Sequence, residues 1–453
     1  MTEPHDEHRT PAQLAHLREA LDSGRMLPVK RSLHALHPAE IARLLESLPL
    51  REREIVWGVV DAEDQGEVLL HVPDEVRESL MQDMAVEDIV AAAEELEIDD
   101  LADFVEGLPE TVTQQILRSM DDRDRSRLEQ VMSYPPDTAG GLMNTDTVTV
   151  RPDVSLEVVQ RYLRLRSELP ANTDSLFVVD RYGRFLGVLT LDRVVTADPS
   201  GLVRELMDRE RQPLSVGMSE QEVAKRFENL DLISAAVVGE SGMLVGRITI
   251  DDVVDVIRAE AEHAVMSMAG LDEEEDIFSP VRGAAKRRAV WLGINLVTAF
   301  MASWVVGLFE ATIAEVVALA VLMPVVASMG GIGGSQTLTL MIRGLALGQV
   351  DARYTMQLLR KELAVAAING LLFAVIVSLI AVLWFSSVKL AAVIACALIL
   401  NQIAGALAGV FIPLLLKRMG IDPALAGSVI LTTVTDVVGF FAFLGLGSAV
   451  LLS

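Results

Sequence analysis

The sequence predicts a multidomain protein in three parts: an acidic, α-helical, solenoid-like N-terminal domain, a duplicated α/β domain, and a five-helix α transmembrane domain. Three observations predict it. Acidic and apolar residues are segregated between the two halves, a strand–turn–strand pattern recurs at a fixed offset, and five long uncharged runs close the chain.

Of a net charge of −26 over 453 residues, residues 281–453 hold 11 Lys and Arg against 6 Asp and Glu, net +5, which leaves −31 on residues 1–280. Such a field repels nucleic acid and anionic lipid and concentrates cations, divalent ones most strongly. Taken alone, the charge is also explained by a solvated surface that serves solubility. A single cysteine, Cys396, stands inside an apolar run, which excludes disulfides and Cys-based zinc sites and reads as packing.

Residues 1–11 read as a disordered tail without the apolar core of a signal peptide, which keeps the first half in the cytoplasm. Residues 12–134 read as short amphipathic helices with Pro or acidic starts, as at His37-Pro38-Ala39-Glu40 and Asp99-Asp100-Leu101-Ala102-Asp103. They recur at roughly a dozen residues or its double, the mark of a small helical solenoid. Acidic first turns complement the helix dipole, so capping alone accounts for Asp99 and Asp100.

The texture changes near Gly140. The run 177–190 reads as strand, glycine turn and strand leading into a helix, and 236–249 repeats it 59 residues later. Ser219-Glu220-Gln221-Glu222 adds a capping-box helix start to the second copy. The duplication, over 138–200 and 201–262, resembles a tandem pair of CBS domains, regulatory modules that often sense adenine nucleotides or ions. By that resemblance a Thr closing the last strand, with Asp three residues on, holds a ribose. Thr249 and Asp252 match in copy two, which makes ATP a ligand to test there, whereas copy one has Thr190 but Arg193.

Residues 263–285 read as a connecting, plug-like helix and loop, continuing an amphipathic run from Asp251 to Glu262. The membrane domain is placed at 286–453, with spans at 289–309, 316–342, 363–388, 390–416 and 423–453. Each exceeds the roughly 20 residues a helix needs to cross the hydrocarbon core. Lys286, Arg287 and Arg288, then Arg343, Arg353, Arg360 and Lys361, then Lys417 and Arg418 lie on one side, and only Lys389 on the other. The positive-inside rule therefore places the acidic half in the cytoplasm and the C-terminus outside.

Within the spans, Asp436 is the acid that lies well inside, at a cost of about 2.5–3.5 kcal/mol for a central Asp unless water or a cation reaches it. A carboxylate buried against interhelical hydroxyls is the plainer alternative. Span two carries Pro324 and Gly330-Gly331-Ile332-Gly333-Gly334-Ser335-Gln336, which suggests a broken or bent helix with carbonyls exposed to a pore. Small-residue packing of the Gly-xxx-Gly kind, which Gly330 and Gly334 satisfy, explains the same glycines. The spans hold no Lys or Arg ring for anions and no chain of acids and bases for protons, so a cation is the expected substrate.

This order of domains resembles the MgtE family of magnesium channels and transporters over nearly the whole chain. Ala139-Gly140-Gly141-Leu142-Met143, Phe309-Glu310, Gly420-Ile421-Asp422-Pro423-Ala424-Leu425 and Thr435-Asp436-Val437 are similar to the family pattern. The resemblance implies a homodimer in a bacterial-type inner membrane that imports Mg2+ and acts on no nucleic acid or protein. It implies that Asp436 is the pore carboxylate, with Gln336, Thr435, Gly330 and Gly331 as further pore groups. It also implies that Asp99, Asp103, Asp231, Asp252, Asp255 and Glu260 bind regulatory Mg2+. Ile332 and Ser335 replace two asparagines common in the family, and His263 and Ala264 stand where relatives carry acids.

Magnesium releases its waters reluctantly and is usually held through them by one or two carboxylates, so a wide pore with one Asp per protomer suits it. A proton- or sodium-coupled secondary transporter regulated through the CBS pair, and a membrane-tethered sensor without transport, are the competing classes. An enzyme has no support, since no HExxH pair, P-loop or activated nucleophile is present.

Overall fold

The computed structural model describes residues 26–452 apart from 83, 95, 167, 272–274 and 347–351. The expected tail 1–11, the start of the helical domain and the middle of the connecting loop lie outside the described residues. The chain divides into two compact units, residues up to 261 with 274–279, and 262–273 with 280–453.

The first unit begins with nine described helices of eight to ten residues, from Met26–Leu33 to Asp122–Val131. Pro38–Glu46 packs on Ala62–His71, which packs on Val86–Glu94, which packs on Glu110–Ser119. Stacking on the helix two places along is how a solenoid buries faces that no single short helix could bury alone. Apolar residues at helical spacing supply the core, as Ile41, Leu44, Leu45 and Leu48 do. The starts are fixed locally: His37 Nδ1 accepts from the Ala39 N–H, and Glu40 accepts from the His37 N–H at 3.0 Å.

Among the described residues of this domain, one basic residue is buried. Arg53 is 1 % exposed, donates through Nε to the Leu45 carbonyl at 2.9 Å, and pairs with Asp276 at 2.8 Å. Glu75 accepts from the Asp276 N–H at 3.0 Å and from Ser279 Oγ at 2.5 Å. The segment 275–279, just ahead of the first span, thus belongs to the core of the helical domain.

Two three-stranded sheets follow, built alike, with their antiparallel pairs at an offset of 59 residues and their first strands at 65. Thr149–Val150 pairs in parallel with Ser175–Val179, which pairs antiparallel with Phe185–Thr190. Leu214–Ser215, Ser234–Val238 and Leu244–Thr249 repeat the order, and both antiparallel pairs carry a bulge before their glycine turn. Gly183 and Gly242 hold those turns at φ of 84° and 74°, where a side chain would be strained. As expected, Ser219 caps the helix Glu220–Leu230.

In the second unit five helices are long and apolar enough to cross a membrane. We call them spans one to five: Val281–Gly307, Val317–Ala346, Ala352–Phe385, Val388–Arg418 and Pro423–Leu451. Span four packs against spans two, three and five, and span one packs on span five. Span two is one continuous helix with Pro324 inside it, so the break that the proline and the glycines suggest is absent. That proline lies two turns inside the helix and removes one backbone N–H from its ladder, a local loss that the helix continues past. Cys396, expected to pack, is exposed on span four. Gly420, at φ 71°, ends span four; Asp422 then caps span five by accepting from the Ala424 N–H at 2.9 Å, with Pro423 at the first helical position. His263 Nε2 lies 3.1 Å from the same Asp422 carboxylate.

Candidate functional site

Two features carry chemistry, one in each unit. The first is a groove of about 810 Å³ on the membrane unit. Ser328, Gly331, Ile332, Ser335, Gln336 and Thr339 recur along one face of span two, Ala327 and Leu340 flank them, and Thr432 and Asp436 of span five complete the lining. Spacings of three and four residues put these side chains in one stripe. A stripe of hydroxyls, an amide and a carboxylate would be penalised against hydrocarbon, so it has to meet water, an ion or another protein surface. Asp436 makes no hydrogen bond or ion pair among the described residues, and its carboxylate is half-exposed to the groove.

Of the five expected pore groups, three come together here: Gly331, Gln336 and Asp436. Gly330 and Thr435 lie behind the groove, because neighbours on a helix point about 100° apart. Thr435 is fully buried and donates to the Leu431 carbonyl at 3.1 Å. Gly330 meets span four, where a Cβ would lie 2.1 Å from Asn401 Nδ2. Gly333 and Gly334 similarly approach Gln402 and Gly405. Close packing explains these three glycines, and only Gly331 faces the groove.

The second feature is an acidic cluster in the first unit. Asp99, at the start of Ile98–Glu106, is 8 % exposed, and Asn144 donates to it at 3.2 Å and to Glu97 at 2.5 Å. Asn144 is itself tied to the closing strand of the second sheet by paired backbone bonds with Arg247, both 2.8 Å. At the end of that strand the Thr249 N–H and hydroxyl both donate to Asp252 at 3.1 Å, and the hydroxyl also meets Asp251. The possible ribose pair, Thr249 and Asp252, is therefore bonded to itself.

Burial, then repulsion from Asp100 and Glu97, pushes the Asp99 carboxyl up to about 7. Burial, then Asp252 and Glu97, pushes Asp100 up to about 7, and burial followed by Asp99 pushes Asp252 up to about 8. Carboxylates so placed ask for protons or for a bound cation. Asp255 is raised by burial against the opposing pull of His71 and Arg258. Nearby, burial and then Asp137, Glu260 and Asp103 raise Glu220, which makes Glu260 and Asp103 part of a second acidic patch. Asp231 is exposed at the end of Glu220–Leu230, in the left-handed conformation at φ 47°. Among the described residues no three His, Cys, Asp or Glu side chains close on one point, as dry ligands would. Outer-sphere binding of a hydrated ion needs no such convergence.

Glu97, Asp100, Asp251, Asn144 and Glu220 lie in or beside these acidic clusters, and the sequence reading does not single them out as site residues. Capping alone accounts for Asp100 in the sequence, and its adjacency to Asp99 is the signal that it shares the cluster. Glu362 was placed just outside span three; the helix begins earlier, and Glu362 is 5 % exposed, accepting from Thr337 of span two at 3.0 Å.

The family profile described as divalent cation transporter (MgtE) matches residues 323–446, and the MgtE intracellular N domain matches 36–137. The CBS domain profile matches 139–200 and 203–259. The chain is 31 % identical over 440 residues to a Thermus thermophilus protein named magnesium transporter MgtE, covering 96 % of this chain and 98 % of that one. A Bacillus subtilis protein of the same name is 25 % identical over 429 residues, covering 95 % of both. The crystal structure of the cytosolic domain of the Mg2+ channel MgtE in complex with ATP is 32 % identical, with 54 % of this chain covering 99 % of that one at a TM-score of 0.49.

Proposed function

Since the chain belongs to the MgtE family of divalent cation transporters, we propose that it carries Mg2+ across the membrane along the groove between spans two and five. A second copy of the chain completes the pathway, and Mg2+ bound among the cytoplasmic acids closes it. The observation that carries this reading is the polar stripe facing Asp436 on a unit whose other outer surfaces are largely apolar. Two-fold pairing about that stripe would close the groove into a conduit and set two Asp436 carboxylates about one axis. Hydrated Mg2+ then meets carboxylate, hydroxyl and amide through its waters and need not shed them.

Gating follows from electrostatics. Without Mg2+ the acids of Ile98–Glu106 and of the segment 249–255 repel; with it, bridging ions draw them together. The helix Ile250–Met268 continues from Thr249 into the membrane unit, so the chain itself links sensor to pathway. The basic residues flanking the spans support a first unit in the cytoplasm and a C-terminus outside, by the positive-inside rule. Thr249 and Asp252 are the position for ATP, a ligand that Mg2+-free binding measurements would detect.

The test is Mg2+ flux into proteoliposomes. Asp436→Asn and Asp436→Ala are expected to abolish flux while the dimer persists by light scattering. Full rescue of a magnesium-starved, transport-deficient strain by either variant would remove Asp436 from the mechanism. Flux that follows a pH gradient and ignores magnesium would favour the coupled-transporter reading instead.

A further inference from the structure

Span four contributes no side chain to the groove, yet it carries two adjacent amides at mid-membrane. Asn401 is fully buried and donates through Nδ2 to the Val326 carbonyl of span two at 2.9 Å. Gln402, 6 % exposed, donates through Nε2 to the Met329 carbonyl at 2.9 Å. A helix carbonyl has a second lone pair, so both bonds form without breaking the ladder of span two. They grip the turn that carries Ser328, Gly331 and Ile332 into the groove.

Glycine makes the grip possible. A Cβ at Gly330 would lie 2.1 Å from Asn401 Nδ2, and one at Gly333 would lie 2.2 Å from Gln402 Oε1. On the other side of the same Asn401 amide, a Cβ at Gly439 would lie 2.6 Å from Nδ2. Gly439 is one turn beyond Asp436, and Gly330 adjoins Gly331. The Asn401 carboxamide is therefore wedged between the two helices that form the groove, directly behind both of its walls. Its Oδ1 has no N–H or O–H partner among the described residues and lies against the two glycine backbones. A buried amide with one unmet acceptor is costly where helix packing is the only need, since an apolar residue would fill the gap without that penalty.

We propose that Asn401, assisted by Gln402, is a positioning residue that holds the Gly331 wall of span two at a set distance from Asp436. That distance decides which hydrated cation the groove accepts. The inference rests on the transport reading above, because it needs ions to pass between those walls. Magnesium and calcium differ in size, in hydration and in tolerance of irregular geometry, so a small change in the separation of the walls registers as a change in their ratio.

The experiment is flux of Mg2+ and of Ca2+, each alone, into liposomes containing the full chain. Asn401→Ala is expected to keep Mg2+ flux but to lower the Mg2+ to Ca2+ flux ratio by roughly five- to tenfold, the scale of one lost hydrogen bond. Gly330→Ala alone is expected to fail to assemble, since its methyl would collide with the amide. Combined with Asn401→Ala it should assemble again, with the ratio still low, because the wedge is refilled but the bond to Val326 is absent. An unchanged ratio in assembled Asn401→Ala, or in the double variant should the single one not assemble, overturns the proposal and leaves Asn401 as packing alone. Asp436→Asn separates the two levels: flux of either ion through that variant sinks the transport reading itself, whereas its silence beside an unchanged ratio at Asn401 sinks only this inference.

Discussion

In the absence of divalent ions, raising the pH from about 5 to about 8.5 should loosen the contact between Ile98–Glu106 and the region of Asn144 and Thr249. Adding Mg2+ should restore that contact at the higher pH and do little at the lower. The Asp99, Asp100 and Asp252 carboxyls are raised from 3.8 to about 7, about 7 and about 8 in the folded unit. Between those limits the folded state holds protons that the unfolded state has released. Stability from these groups is therefore fully present below about pH 4, falls as pH rises through the folded values, and is flat above them. For Asp99 alone, the part of the shift that lies between pH 5 and about 7 is about 2 units, which corresponds to about 3 kcal/mol at 1.36 kcal/mol per unit. The three groups repel one another and titrate as a set, so their separate shifts do not add. A loss of about 3 kcal/mol corresponds to about a hundredfold in protection against hydrogen exchange. Exchange measured by mass spectrometry on the full chain in nanodiscs, corrected for the intrinsic pH dependence, reads this for peptides spanning 98–106 and 244–256. Asp99→Asn should flatten the profile and reduce the Mg2+ effect. Protection that is constant or rises over this range, or an equal Mg2+ effect at both ends, would refute the reasoning.

Replacing Asp99, Asp252 and Asp255 together with Asn should leave flux high at millimolar Mg2+, and normal closure in that variant would reject these positions as the sensor. Arg53→Leu strands the buried Asp276 carboxylate, at a cost on the order of 3–5 kcal/mol. It should speed amide exchange at 275–279, with much of the loss recovered on adding Asp276→Asn; unaltered exchange would show that the pair holds nothing. Glu362→Ala removes the buried acceptor of Thr337 and should destabilise by about 1.5–3 kcal/mol, whereas Glu362→Gln should retain most of the bond. Thermal unfolding in detergent compares the two. Gly405→Leu should force spans two and four apart, since a Cβ there already lies 2.8 Å from the Gly330 carbonyl; a monodisperse, thermally normal variant would contradict the close packing.

Much of the architecture was legible because it is written in one dimension. Five spans follow from apolar length, the two sheets from a repeat of 59 residues, and the solenoid from short helices with marked starts. Each signal is local, and each element forms largely for local reasons. The site was less legible. Asp436 stood out because an acid at membrane depth is costly wherever it lies. Gly330, Gly331 and Thr435 could not be sorted, because one residue along a helix turns a side chain by about 100°. Only the packing of span four against span two assigned Gly330 to a helix contact and Gly331 to the groove.

The sequence by itself determined the inventory: which segments cross the membrane, which carry the acids, and which single carboxylate sits deep. Tertiary structure decided which of these meet. Asp99 and Asp252 are 153 residues apart in the chain, yet Asp99 helps to raise the pKa of Asp252, and Asp252 that of Asp100, in a shared desolvated space. Asn401 is unremarkable in an apolar run until two glycines from other helices close on its amide. Periodicity records the environment a residue needs, either water or apolar cover. It carries no record of the partner, because desolvation is a property of one residue, whereas a charge contact or a steric fit belongs to a pair whose separation only the folded chain sets.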